Sequence, residues 1–148
     1  MKALDLAKYI VTLAYKEDKP VSNLKLQYML FLIWVEYYEK TGEFCFLDNF
    51  EAWSLGPVIP NVYYEFCTYA GVQICKKYDI EISTQCNNPI FIFLSINKYI
   101  DLSTYELNRH VTRKSGAWDM TYNYFREPKG RISFDRIISY EVLGRINS

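Results

Sequence analysis

Nucleophilic catalysis needs a thiol or hydroxyl within reach of a base, and this chain has a single imidazole, His110, to serve as one. The thiols are Cys45, Cys67, Cys75 and Cys86. A hydrolase or transferase would have only Cys45, His110, Glu51 and Asp48 to draw on. No local signature surrounds any of the four. The cysteines show no Cys-x-x-Cys spacing and only one His exists to join them, so a zinc site is not expected. The six glycines are scattered, which excludes a phosphate-cradling loop. Glu36 and Glu39 stand three apart on a helical pattern and read as a solvated stripe rather than an acid–base couple. The expectation is a non-enzyme with no cofactor and no metal.

A second chemistry is stacking and charge. Arg109, Arg113, Lys114, Arg126, Lys129 and Arg131 are interleaved with Trp118, Tyr122, Tyr124 and Phe125. That mixture can track a phosphate chain and stack bases. It equally describes the anchors and rim of a protein interface. The total charge is zero, which favours the protein interface. The charge is uneven, at −4 over residues 1–108 and +4 over residues 109–148, so one end can steer a charged partner. A nucleic-acid-binding regulator using the basic C-terminal third is the alternative, and a hydrolase of unrecognised type the second.

The elements that must position these residues are mostly helical. At 148 residues the chain is expected to form a single domain, 1–148, without staples. Asp5 and Lys8 interrupt any leader-like apolar stretch, and the longest apolar run, Met29 to Val35, is far too short to span a bilayer. A reduced, cytoplasmic location follows as the expectation, with the thiols used as small hydrophobes. Leu4, Ala7, Val11 and Ala14 predict a helix over about 3–16. Leu26, Met29, Leu30, Ile33, Trp34 and Tyr37 predict the strongest helix, 23–41, capped by Ser22 and stopped by Gly42. Leu24, Phe31, Leu32 and Val35 widen the apolar surface beyond a single stripe, and a helix apolar on most sides is expected at the centre. Ser103 and Glu106 form a capping box for a helix over 103–112. Another short helix begins near Trp118. Ser133 caps a last helix carrying Phe134, Ile137, Ile138, Val142 and Ile146.

The other segments read less sharply. "FCFLDNFEAW" is an edge strand or an extended lead-in. Tyr78, Ile80 and Ile82 alternate as in a strand, "CNNP" is turn chemistry, and "PIFIFLS" is either strand or buried helix. A hairpin over 78–94, pairing with residues near 44–53, follows from the strand reading. The fold class is therefore mainly α (α+β): a compact helical domain around a central apolar helix, with a small antiparallel sheet.

Between residues 50 and 66 stand Gly56, Pro57 and Pro60, with Trp53 before them. Gly56 permits a bend and the prolines remove alternatives in the unfolded chain. Pro60 suits the first turn of a helix lined by Val62, Tyr63, Phe66 and Tyr69 and ended by Gly71. Trp53 is expected to plug the core under the bend. Asn61, Tyr64 and Glu65 are the neighbours expected to face a partner, with Arg113, Trp118 and Tyr122 as further contacts.

Three stretches together resemble the Panacea domain family, also called SocA-like or GepA-like. "VSNLKLQYMLFLIWVEYYEKTGEFCF" carries the family's Leu-Gln pair as Leu26-Gln27, on the helix that holds Trp34. "DNFEAWSLGPVIPNVYYEFCTYAG" carries Glu51-Ala52-Trp53, Gly56-Pro57-Val58, Pro60 and Val62-Tyr63. "KYIDLSTYELNRHVTRKSGAW" is similar to the family's Tyr-Gly, Ser, Glu-Leu, Thr-His, Trp pattern. Here the Tyr-Gly place is Tyr99-Ile100, and the Thr-His place is Val111-Thr112 or Thr112-Arg113. The resemblance implies an antitoxin-type, phage- or mobile-element-associated protein. It implies binding to a small toxin encoded by a neighbouring gene, by masking it or by presenting it to a cellular protease.

Overall fold

The computed structural model describes residues 1–144. Helix α1, Ala3–Lys16, buries Leu6, Ala7, Ile10, Val11 and Ala14 on one face. Its first amide has a distant cap: Ala3 donates to Asp48 Oδ1 at 2.9 Å. Helix α2, Asn23–Thr41, starts where Ser22 Oγ accepts from the Lys25 amide and stops where Gly42 turns left-handed at φ 70°. Every residue from Leu26 to Tyr37 is buried, so α2 is the axis of the molecule. Trp34 is fully buried and donates its indole N–H to the Phe46 carbonyl at 3.2 Å.

Strands β1, Phe50–Trp53, and β2, Gly56–Val58, form a hairpin around Ser54 and Leu55. A two-residue strand β3, Arg131–Ile132, pairs antiparallel to the other side of β1. The order β2-β1-β3 makes β1 the central strand, not an edge. Proline is tolerated in β2 for a register reason. Pro57 faces Ala52, and Ala52 bonds the other way, to the Lys129 amide and the Gly130 carbonyl, so no amide at 57 is required by β1.

Helix α3, Pro60–Glu65, begins at proline as expected. It passes into a 3₁₀ turn, Cys67–Tyr69, closed by Ala70 at φ 50° rather than by Gly71. The expected hairpin over 78–94 is absent. "PIFIFLS" belongs instead to helix α4, Pro89–Ile100, which packs against α2 through Ile92, Ile96, Tyr99 and Ile100. Residues 72–82 are an irregular strap across α1. Ile74 and Ile82 are buried beneath it, and the Tyr78 amide donates to Thr12 Oγ1 at 2.8 Å. The alternation read as a strand is the in–out rhythm of this strap.

Helix α5, Thr104–Val111, carries the capping box of Ser103 and Glu106 in full. Helix α6, Ala117–Asp119, continues as a π-turn over Met120–Tyr124. Helix α7, Phe134–Ile137, capped by Ser133, continues as a second π-turn over Ile138–Leu143. Ile146, expected on this last helix, lies outside the described residues. The fold is mainly helical with a small three-stranded antiparallel sheet.

Candidate protein-docking surface

The β1–β2 turn is held from below by two side chains, Tyr28 and Asn108. Tyr28 donates its hydroxyl to the Leu55 carbonyl. Asn108, from α5, donates to the same carbonyl at 3.0 Å and to the Tyr28 oxygen at 2.9 Å. Burial pushes the Tyr28 phenol above its ordinary value, although the Asn108 bond pulls it back, so it stays a donor at neutral pH. Gly56 has φ 141°, and a Cβ there would lie 2.7 Å from Tyr28 Cε1. Glycine is thus required twice, for the backbone angle and for the ring that fills its place.

The chain after the turn is pinned in the same way. Gln27 is fully buried and accepts from the Ile59 amide at 2.9 Å. Its own amide donates to Asn23 Oδ1 at 3.1 Å, and Asn23 donates to the Tyr63 carbonyl at 3.0 Å. A Gln beside Leu26 therefore joins α2 to the start of α3. Trp118 reaches from α6 and donates to the Trp53 carbonyl at 2.7 Å. Side chains from three helices, α2, α5 and α6, converge on one exposed hairpin, at whose tip Leu55 is 61% exposed.

Trp53 does not plug the core. It is half-buried on the outer face of the sheet, because β1 alternates and its inward residues are Phe50 and Ala52. The indole N–H donates to Glu51 Oε1 at 2.9 Å, Tyr63 meets the ring edge-on at 5.1 Å, and the Lys129 ammonium lies 5.3 Å from its centroid. The ring that sits under the bend is Tyr28. Beside Trp53 is a hollow of about 320 Å³, lined among others by Leu24, Leu55, Val58 and Tyr63. A shallower one on the far side of the turn, about 370 Å³, is bordered by Asn108, Lys114, Asp119 and Asn123.

The six residues expected to face a partner divide. Asn61, Tyr64 and Glu65 are exposed on α3 beside the hairpin, with Tyr64 at 61%. Trp118 is only 8% exposed and its N–H is already used on Trp53. Tyr122 is half-buried and stacks on Trp118 at 5.0 Å. Arg113 is drawn inward to Glu141, 2.6 Å away and 1% exposed, and to the Tyr140 carbonyl. Gly116 is small because that ion pair lies against it: an added Cβ would be 2.7 Å from Arg113 Nη1. Of the aromatic-basic cluster of the C-terminal third, Arg113, Trp118 and Tyr122 are drawn inward, while Arg109, Lys114, Tyr124, Phe125, Arg126, Lys129 and Arg131 stay exposed. Tyr28, Asn108 and Leu55 were not singled out by the sequence, and Lys129 only as one member of the basic cluster. The one signal for them is Gly56, which demands that something occupy the space of its missing side chain but does not say what.

The candidate hydrolytic residues do not assemble. Asp48 caps α1, Glu51 holds the Trp53 indole, and His110 is exposed on α5. Cys45 is buried, and desolvation pushes its thiol well above the ordinary value. Glu36 is buried rather than part of a solvated stripe. It accepts from Ser95 at 2.6 Å, Tyr99 at 2.5 Å and Lys98 at 2.5 Å. Burial pushes its carboxyl upward, but these three donors and the ammonium charge outweigh it, and the net shift is downward. It cross-links α2 to α4. Among the described residues no group of three or more His, Cys, Asp or Glu is placed to hold a metal, and no helix is long and apolar enough to cross a membrane.

These features define a mainly helical protein that presents a braced, exposed hairpin tip beside an apolar hollow. A family model described as antitoxin SocA-like, Panacea domain, matches residues 26–119, and the chain belongs to that family. The matched range takes in Gln27, Tyr28, Asn108 and Trp118, and leaves Asn23 and β3 outside it. No curated protein and no solved structure matches the chain.

Proposed function

We propose that this protein neutralises a small protein toxin by direct binding, through the Ser54–Leu55 turn and the exposed side of α3. The observation that carries the reading is the brace itself. Leu55 is an exposed apolar side chain whose own carbonyl receives two hydrogen bonds from beneath. A contact presented in a fixed conformation forfeits little ordering entropy on binding. Membership of an antitoxin-like family supplies the kind of partner. The test is a growth assay in which each neighbouring gene is induced alone and then with this protein. A toxic neighbour whose product is both neutralised and co-purified supports the reading. Toxicity without rescue, or no toxic neighbour, rejects it. The toxin's half-life in the same cells separates masking from delivery to a protease.

A further inference from the structure

We infer that Glu141 is a positioning residue for the hairpin: it fixes the start of α6 so that Trp118 meets the Trp53 carbonyl. Its part in binding rests on the proposed function, in which the hairpin tip is the contact. Glu141 lies on the last helical segment, Ile138–Leu143, beyond the range that the family model matches. It is a carboxylate only 1% exposed. Its Oε2 accepts from Arg113 Nη1 at 2.6 Å, and its Oε1 accepts from the Ala117 amide at 3.2 Å. Arg113 also donates to the Tyr140 carbonyl at 2.8 Å. The carboxylate therefore holds the backbone one residue before Trp118. The Trp118 indole donates to the Trp53 carbonyl at 2.7 Å, and Tyr122 is stacked on its ring. Stability alone is a poor account of such a pair. Taking a carboxylate out of water is costly, and apolar residues of similar volume often serve stability as well or better. Charge-assisted bonds add a fixed direction, which apolar packing does not. The effect reaches the tip through one peptide plane, because the Trp53 carbonyl and the Ser54 amide belong to the same unit.

The test uses the full chain, ¹⁵N-labelled, well below its melting temperature, where native-state resonances do not report stability. Glu141→Gln keeps the shape but turns one acceptor into a donor that faces a donor. The expected result is an upfield shift of the Trp118 indole proton and a displaced Ser54 amide resonance. The Trp34 indole, fully buried and bonded to the Phe46 carbonyl, should not move. Trp118→Phe removes the donor and should displace Ser54 in the same direction, and Glu141→Gln added to it should displace Ser54 no further. Glu141→Asp, which keeps the charge but is one methylene short, is read in the same way if the Gln variant does not fold. Affinity for the toxin should fall by about twofold to thirtyfold. A lowered melting temperature with the Trp118 and Ser54 resonances unmoved would overturn the proposal. So would displacements that add in full in the double variant, or full toxin affinity in the single one. The two readings fail separately. Unmoved resonances in a protein that still rescues cells remove the positioning role alone. Moved resonances in a protein whose wild type binds no toxin remove the antitoxin assignment alone.

Discussion

At position 56 any side chain collides with the Tyr28 ring and must also adopt a conformation reserved for glycine. Gly56→Ala should therefore destabilise the protein by about 2–4 kcal/mol, from backbone strain plus overpacking. A denaturant midpoint lowered at constant slope would report it. Tyr28→Phe keeps the ring but removes the donor to Leu55 and the acceptor for Asn108. It should cost about 1–2 kcal/mol. The two tryptophans should also separate. Trp34→Ala empties a fully buried site that stacks on Tyr38, Phe44 and Phe134, and should cost about 3–5 kcal/mol. Trp53→Ala loses mainly the Tyr63 and Lys129 contacts and should cost about 1–2 kcal/mol. Equal losses at 34 and 53, by thermal or chemical unfolding, would contradict the surface placement of Trp53.

Among the elements, the α2–α4 cross-link at Glu36 makes the sharpest prediction. Its carboxyl titrates lower in the folded protein than in the unfolded chain. Its contribution is therefore complete above the ordinary carboxylate range and is lost as pH falls through the lowered folded value. Melting temperature should fall on the acid side, and Glu36→Gln should flatten that limb while costing about 1–3 kcal/mol at neutral pH. An acid limb of unchanged slope in the variant would count against the cross-link. Most helices legible in the sequence carried chemical punctuation, Ser22 and Gly42, Ser103 and Glu106, Pro60, Ser133, and α1 was legible from its apolar spacing alone. The elements that escaped depended on distant partners. "PIFIFLS" is apolar throughout and fits either period, and only its packing on α2 makes it helix. Strand β3 is two residues long and exists because β1 offers Phe50 and Glu51 as partners from eighty residues away. Tyr78 and Ile82 alternate without a strand because the strap carrying them is tied to Thr12.

Across the whole molecule, charge and aromatic content pointed towards the C-terminal third as a contact surface, and the structure redistributes that content. Arg113, Trp118 and Arg136 turn inward to Glu141, Trp53 and Thr121, while Arg109, Lys114, Arg126, Lys129 and Arg131 stay exposed. Trp118 on one side and α2 on the other support the hairpin, whose tip faces outward. The motif residues Gln27, Gly56, Pro57 and Pro60 were legible as a motif, but their common purpose emerges only when α2 and the hairpin are seen in contact. The central claim is that this tip binds the toxin. Leu55→Asp tests it most directly, because the side chain is exposed and its backbone carbonyl, which takes the Tyr28 and Asn108 bonds, is retained. The account predicts an unchanged melting temperature together with loss of the complex and of growth rescue. Full rescue by a folded Leu55→Asp protein would contradict it.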